Sequence, residues 1–317
     1  MLDGAEYKLN LALAEAGDPG AQHSLGVMYQ NGQGVEINYD EAIKWYLKAA
    51  RQGHADAKNN LGLMYQYGLG VEQDYEEALK LFMENAQDGN LAAQNNLGWI
   101  HQHGLGVPQD YKEALLLYQK AADLGNSDAQ NNLGWMHQHG EGVPKNYAEA
   151  IKWYNKAVAQ GNPDAQNNLG WMYQNGEGVP QDDNEALRWY SKAAEQGHVD
   201  AQNNLGWMYH HGKGVPHDYA KAVKLYLKAA ERGHAYAQLN LGWIYGKGGL
   251  LDYEESAKWF LKAAEQGIAT AQFNLCLMYM EGKGVEKDED MAAIWYRKAI
   301  EQGHADAHAR SLARIKI

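Results

Sequence analysis

The chain has 317 residues, 45% of them apolar, and it carries a formal net charge of −12 with a single cysteine. The lone Cys276 excludes an intramolecular disulfide and with it the class of small disulfide-stabilised scaffolds. The negative charge disfavours binding to phosphate backbones or anionic lipid, so we expect no nucleic-acid partner. No apolar run approaches the roughly 18 residues of a membrane helix, and we expect no membrane insertion.

Glycine is abundant and its positions are periodic. The chain has 35 glycines, whereas average usage of about 7% would give about 22. The segment AQNNLGW and its looser copies recur every 36 residues, with one 34-residue interval from Ala237 to Ala271. We therefore predict one repeat array spanning 1–317, with repeats that start at 21, 57, 93, 129, 165, 201, 237 and 271.

The array is predicted to open with a lone helix at about 5–16, and each repeat then contains two helices. In the first helix, residues such as Ala129, Leu133 and Met136 recur at i, i+4 and i+7, which forms one apolar face. The glycine- and proline-rich loop 140–144 ends that helix. We expect aspartates to cap the N-termini of the first helices. The predicted caps are Asp56, Asp128, Asp164, Asp200 and Asp306.

The second helix of each repeat has its own start and stop signals. Trp153, Tyr154 and Ala157 lie on one apolar face. A capping box predicts the start, and a glycine such as Gly161 or Gly197 predicts a left-handed residue after the end. The capping-box pairs are Asn38/Glu41, Asp74/Glu77, Asp110/Glu113, Asn146/Glu149, Asp182/Glu185 and Asp252/Glu255. A lone first-type helix from Ala307 is predicted to close the array.

These residues resemble the Sel1-like repeat family, a relative of the tetratricopeptide repeats. The shared pattern is A-x3-L-G-x2-Y-x2-G-x-G-V, then E-A-x2-W-Y-x-K-A-A-x2-G. One repeat matches it at Ala165, Leu169, Gly170, Tyr173, Gly176, Gly178, Val179, Glu185, Ala186, Trp189, Tyr190, Lys192, Ala193, Ala194 and Gly197. The resemblance implies an all-α fold, a right-handed α-solenoid of about eight 36-residue helix pairs. It also implies an adaptor or scaffold role, with the first helices lining a concave side.

Residues that the repeat pattern does not require are the candidates for function. We number each repeat from its leading alanine as position 1. At 100° per residue, positions 3, 7 and 10 of the first helix lie opposite its core face. Position 7 is tryptophan in five consecutive repeats, which we call the Trp row: Trp99, Trp135, Trp171, Trp207 and Trp243. Position 3 carries Asn95, Asn131, Asn167 and Asn203, position 10 carries Gln102, Gln138 and Gln174, and position 11 carries His103, His139 and His211.

We interpret this face as a groove that binds an extended peptide. Tryptophan planes would sandwich ligand side chains, and asparagine amides would bond to the ligand backbone, as in armadillo proteins by analogy. Two alternatives stay open: the tryptophans pack sideways against neighbouring repeats and were copied by duplication, or sugar rings stack on them. The near-identical central repeats also fit an engineered consensus protein, although the varied ends favour a natural one.

The 13 histidines do not predict a metal centre. His101 and His103 are two residues apart, as are His137 and His139, so each pair lies on different faces of its helix. We expect His101 and His137 to replace the motif tyrosine in packing. The histidines that follow a second helix are expected on the surface: His54, His198, His234 and His304.

The remaining chemistry points to binding. Cys276 replaces a motif glycine, and we expect a small buried thiol. No catalytic constellation occurs, so we predict a non-enzyme without a cofactor that binds a partner protein or peptide. The alternative is a regulatory or carbohydrate-binding repeat protein that uses the Trp row. The N-terminus lacks a signal-peptide pattern, which favours a cytoplasmic location; a periplasmic or secreted location stays open because a leader can be removed. The oligomeric state is left unspecified.

Overall fold

A computed structural model describes residues 2–247 and 251–303, with side chains from residue 5 onward. These residues form α-helices and contain no strand, which confirms the all-α prediction. The helices are α1 (Leu2–Glu15), α2 (Pro19–Asn31), α3 (Tyr39–Arg51), α4 (Ala55–Tyr67), α5 (Tyr75–Gln87), α6 (Leu91–His103), α7 (Tyr111–Asp123), α8 (Ser127–His139), α9 (Tyr147–Ala159), α10 (Pro163–Asn175), α11 (Asp183–Glu195), α12 (Val199–His211), α13 (Tyr219–Glu231), α14 (Ala235–Lys247), α15 (Tyr253–Glu265), α16 (Ala269–Glu281) and α17 (Glu289–Glu301). The predicted closing helix from Ala307 lies outside the described residues.

The helices belong to two compact units, Met1–Gln160 with α1–α9 and Gly161–Ile317 with α10–α17. Within each unit, every described helix packs against the next one along the chain. This nearest-neighbour packing is the arrangement of repeat arrays, in which each repeat buries its apolar face against the adjoining one. Among the helices described, none has both the length and the hydropathy that crossing a membrane requires.

The capping boxes predicted for the second helices are confirmed at their N-cap residues. The Asn146 side chain accepts a hydrogen bond from the Glu149 backbone N–H at 3.2 Å, and the other predicted caps accept in the same way. The Glu149 carboxylate lies 3.1 Å from Lys152 Nζ, three residues further along the exposed face. The predicted left-handed residues Gly161 and Gly197 also have positive φ, at 85° and 87°.

The predicted caps of the first helices are wrong by two residues. The residue directly after the turn glycine is the cap, as at His54, Asn90, Asn126, Asn162 and His198. Only three residues separate each second helix from the next first helix, so the cap follows the glycine without a spacer. The predicted aspartates lie instead in the first turn, where their negative charge interacts favourably with the positive end of the helix dipole. They are Asp56, Asp128, Asp164 and Asp200. Asp306 lies outside the described residues.

The two helices of a repeat approach most closely at the position-6 glycine. A Cβ on Gly134 would lie 2.5 Å from a ring carbon of Tyr154, so a larger residue would force the helices apart. The same glycine-to-ring contact recurs at Gly26, Gly62, Gly98, Gly170, Gly206 and Gly242. Cys276 takes position 6 in the last repeat and is a buried free thiol, which confirms that prediction.

The tryptophans of the second helices belong to the core. Trp45, Trp153, Trp259 and Trp295 are buried, and Trp189 is partly buried. A lysine three residues later covers each ring, and the Lys156 Nζ lies 3.7 Å from the Trp153 centroid. The motif W-Y-x-K therefore combines burial with a cation–π contact.

Candidate functional site

The Trp row divides into exposed and packed members. Trp135 on α8 is 39% exposed and Trp171 on α10 is 47% exposed. Trp99, Trp207 and Trp243 are partly buried and pack against the apolar clusters of their own unit. Sideways packing therefore describes these three, whereas Trp135 and Trp171 present more than a third of their surface to solvent.

Position 11 carries a histidine that stacks on the tryptophan one turn before it. The His139 ring centroid lies 3.8 Å from that of Trp135, with 24° between the planes. The His139 Nδ1 lies 3.0 Å from the Trp135 carbonyl oxygen, so Nδ1 carries the proton and donates. His103 on Trp99 and His211 on Trp207 repeat this arrangement at 4.4 and 4.3 Å. Each of these three indoles thus stacks on an imidazole one turn later in its own helix, and the imidazole is held by a hydrogen bond to the tryptophan backbone carbonyl.

The two other members of the Trp row have different neighbours at position 11. Asn175 donates from Nδ2 to the Trp171 carbonyl oxygen at 2.9 Å, which accompanies the greater exposure of that indole. The Lys247 Nζ lies 4.7 Å from the Trp243 centroid, a cation–π contact.

The asparagines at position 3 connect consecutive repeats. The Asn132 Nδ2 donates to the Asn95 Oδ1 at 2.9 Å, and the Asn204 Nδ2 donates to the Asn167 Oδ1 at 3.1 Å. The same bond joins Asn96 to Asn59 and Asn240 to Asn203. The expected exposure of Asn95 is wrong, because its side chain lies in this contact and is only 8% exposed. Asn131, Asn167 and Asn203 are partly buried.

The glutamines at position 10 do not face a groove. Gln102 and Gln138 are 6% and 3% exposed, and Gln174 is partly buried. Each Oε1 accepts a hydrogen bond from the tyrosine hydroxyl of the second helix in the same repeat, at 2.7 Å from Tyr118, Tyr154 and Tyr190. A helical wheel with a single core direction places them wrongly, because the second helix packs against this side as well.

The histidines that do not stack on a tryptophan of the Trp row either pack against neighbouring helices or cap a helix N-terminus. His101 and His137 have buried Nδ1 atoms without a partner among the described residues, and burial lowers the pKa of His137. His54, His198 and His234 were expected on the surface but are partly buried, and the Nδ1 of each accepts the backbone N–H of the following leading alanine. His304 lies outside the described residues. In the described part of the chain, no group of three or more His, Cys, Asp or Glu could hold a metal ion.

A cavity of about 220 Å³ lies among α14, α15 and α16 and was missed by the sequence analysis. Its walls include Trp243, Phe260 and Leu277, and its rim carries Lys247 and Lys283. The available signal was the departure of this 34-residue repeat from the others, which includes glycine in place of glutamine at Gly246.

The comparisons with known proteins agree with the repeat architecture. A family model described as Sel1 repeat matches residues 19–54, 55–82, 91–126, 127–162, 163–198, 199–234, 235–268 and 269–304. The comparison with curated proteins gave no match.

Solved structures with this fold come from bacteria and yeast. The chain is 37% identical to c5321, a protective antigen of uropathogenic Escherichia coli, with a TM-score of 0.62 over 96% of this chain and 66% of that one. It is 34% identical to a Sel1 repeat protein from Oxalobacter formigenes, with a TM-score of 0.64 over 96% and 89%. Yeast Tom70 shares the fold at 16% identity, with a TM-score of 0.53 over 92% and 62%. This chain thus spans just under two thirds of c5321 and most of the Oxalobacter protein, and it belongs to the Sel1 repeat family.

Proposed function

We propose that the chain is an adaptor that binds an extended segment of a partner protein on the Trp-row face of the first helices within a unit, at Trp135 in the first unit or at Trp171 in the second. Sel1 and tetratricopeptide-like repeat proteins generally mediate protein–protein interactions, and their solenoid is typically a non-catalytic scaffold. The single observation that carries the proposal is the exposure of Trp135 and Trp171. Tryptophan is among the residue types enriched at the hot spots of protein interfaces, so exposed indoles are suitable anchors for a protein partner.

The neighbours of the tryptophans suit a protein ligand. The hydrogen bond to the Trp135 backbone carbonyl fixes the His139 imidazole, and the indole stacks on that imidazole before any partner arrives. An aromatic anchor held in one orientation loses less conformational entropy on binding. The Asn167 Oδ1 is already used by the next repeat, which leaves the Nδ2 of that amide as the donor for a ligand carbonyl.

The test combines an unbiased ligand search with matched variants. The whole chain is immobilised as bait, and peptides that bind it are enriched from a displayed library. The dissociation constants of the enriched peptides are then measured by calorimetry. Trp135→Ala and Trp171→Ala should each weaken at least one peptide by about tenfold or more, the effect of removing an aromatic anchor. The control Leu116→Ala removes an apolar side chain that is even more exposed, from the second helix α7, and should leave peptide affinity unchanged.

Two results would contradict the proposal. One is unchanged peptide affinity in both tryptophan variants when their far-ultraviolet circular dichroism matches that of the parent chain. The other is the absence of any enriched peptide together with glycan-array binding that depends on the same two tryptophans. That outcome would mean that the tryptophans of the Trp row stack on sugar rings.

A further inference from the structure

The seventh repeat, which begins at Ala237, departs from its neighbours at three residues that surround one space. Position 10 is glutamine in the first five repeats and is Gly246 here. The second-helix tyrosine that packs on the position-6 glycine is Phe260, and the alanine four residues before that tyrosine is Ser256. All three line the cavity of about 220 Å³.

The three replacements open the cavity without leaving a buried polar group that lacks a hydrogen-bond partner. In the fourth repeat the Gln138 amide fills the corresponding space and accepts the Tyr154 hydroxyl. In the seventh repeat the amide and the hydroxyl are both missing, so no partner is lost. The Ser256 hydroxyl donates to the Gly242 carbonyl oxygen at 2.8 Å and is satisfied. The wall formed by Gly246, Ser256 and Phe260 therefore presents no unpaired donor or acceptor to the cavity, and it avoids the desolvation cost that such a group would bring.

The cavity belongs to the same face as the Trp row. Trp243 and Leu277 are the position-7 residues of two consecutive repeats, and both line it. Phe260 and Met278 are buried and form its floor, whereas the lysines and Glu281 at its rim are exposed. A ligand on the first helices of this unit therefore passes the mouth of the cavity.

The size and lining fit one aromatic ring. Apolar cavities of about 150 Å³ bind benzene, and this one has about 220 Å³. The rings of Trp243 and Phe260 stand perpendicular, with centroids 5.7 Å apart. They offer both an edge and a face to an entering ring, the two geometries that aromatic pairs prefer.

The rim adds a charge preference that is opposite to that of the chain. Lys247 lies over Trp243, and the Lys283 Nζ lies 3.4 Å from the Glu281 carboxylate and 5.0 Å from the Tyr253 centroid. Two ammonium groups against one carboxylate give the mouth a positive charge on a chain of net charge −12. A carboxylate attached to the bound aromatic group would complement it.

We propose that this cavity binds the C-terminal aromatic residue of a partner protein, with the ring packed against Trp243 and Phe260 and the α-carboxylate at Lys247 and Lys283. This inference rests on the proposed function in assuming a protein partner, and it names the anchor of that partner. The cavity then holds the C-terminus of a bound partner segment at the seventh repeat, and the rest of the segment lies on the first helices.

N-acetyl-L-phenylalanine and its amide are the probes, and the whole chain with isotope-labelled methionine methyl groups is the receptor. The Met278 methyl resonance should shift with the acid at a dissociation constant on the order of 1 mM, the range of small fragments. The amide should bind several-fold more weakly, because it lacks the charge that the lysines recognise. Absence of a Met278 shift, or equal binding of the amide, overturns the proposal.

A variant with all three repeat residues restored gives the matched control. Gly246→Gln, Ser256→Ala and Phe260→Tyr together fill the cavity, and Ser256→Ala is needed because a Cβ at residue 246 would lie 2.8 Å from the serine Oγ. This variant should bind the acid at least about tenfold more weakly, and retained binding overturns the proposal. Should it fail to fold, Lys283→Glu takes its place, since this exposed change should weaken the acid and leave the amide unaffected; equal effects on both probes also overturn the proposal.

The probes separate the cavity from the Trp row. Peptide binding that depends on Trp135 with no response to N-acetyl-L-phenylalanine overturns the cavity proposal alone. A Met278 response without any Trp-dependent peptide overturns the proposed use of the Trp row and leaves the cavity as a ligand site.

Discussion

At the scale of single residues, the pair formed by the position-10 glutamine and the second-helix tyrosine distinguishes one repeat from another. The bond is present at Gln30 and Tyr46, at 2.6 Å, and in the third, fourth and fifth repeats. In the second repeat Phe82 replaces the tyrosine, and the Gln66 Oε1 is buried without a partner among the described residues. A buried acceptor left unsatisfied destabilises the fold.

Restoring the missing hydroxyl should therefore stabilise the second repeat. Phe82→Tyr adds only the phenolic oxygen, and its ring occupies the place against Gly62 that Tyr118 occupies against Gly98. We expect the free energy of unfolding in urea to rise by about 1 kcal/mol, the net value of one intramolecular hydrogen bond. The control Phe82→Leu should lower it, and a Phe82→Tyr value at or below that of the parent chain would contradict this assignment.

The sixth repeat has lost the same bond in another way. His210 replaces the glutamine, and the Tyr226 hydroxyl and the His210 Nδ1 are both buried without partners in the described structure. Burial and the neighbouring His211 and His217 lower the pKa of His210 to about 4. Because unfolded histidine has a pKa near 6.5, the unfolded state binds more protons between these values. Stability should therefore fall as the pH falls from about 6.5 to about 4.

His210→Gln should remove this pH dependence and restore the bond to Tyr226. We expect a gain of about 1 kcal/mol in the free energy of unfolding at pH 7.5. At pH 4.5 the gain should be larger by about 2 kcal/mol, after allowance for the partial exposure of the ring. Urea unfolding at both pH values measures it, with Gln174→His as the reverse change in the fifth repeat. An equal gain at both pH values would show that His210 protonation does not contribute.

At the scale of the helix, the cap that begins each first helix also links it to the preceding repeat. The His198 Nδ1 accepts from the Ala201 N–H at 3.1 Å, and its Nε2 donates to the Asp164 carboxylate at 2.8 Å. His234 and Asp200 form the same link, and the hydrogen bond from His234 lowers the pKa of Asp200. One nitrogen of the His198 ring thus caps the N-terminus of α12, and the other links α12 to α10 of the preceding repeat.

Replacing His198 separates these two contributions. His198→Ala should lower the free energy of unfolding by about 1 kcal/mol or more, since it removes the N-cap acceptor. His198→Asn should recover most of that loss, because Asn162 caps α10 through the same contact to Ala165. Urea unfolding of the three proteins gives the comparison. Equal losses in the alanine and asparagine variants would show that the link to Asp164 carries the stability and the cap does not.

At the scale of the whole molecule, the repeat period predicted the fold and the places of nearly all helices. Apolar spacing, capping boxes and turn glycines act locally, so a single sequence reveals them. The candidate site was predicted only in part. The exposure of Trp135 agrees with its position on the helical wheel, whereas Gln102 is buried because a neighbouring helix covers it. Which face of a helix is covered depends on packing between elements, and the cavity at Gly246 depends on the combined replacement of three residues on two packed helices.

The spacing of two polar pairs in the second unit has a consequence for cooperativity. Tyr190 and Gln174 are 16 residues apart and lie in one repeat, whereas His198 and Asp164 are 34 apart and join two. In a one-dimensional Ising description, the first pair contributes to the intrinsic energy of a repeat and the second to the coupling between neighbours. Loss of the first lowers the midpoint of a transition that stays sharp. Loss of the second allows end repeats to unfold on their own, and the transition broadens.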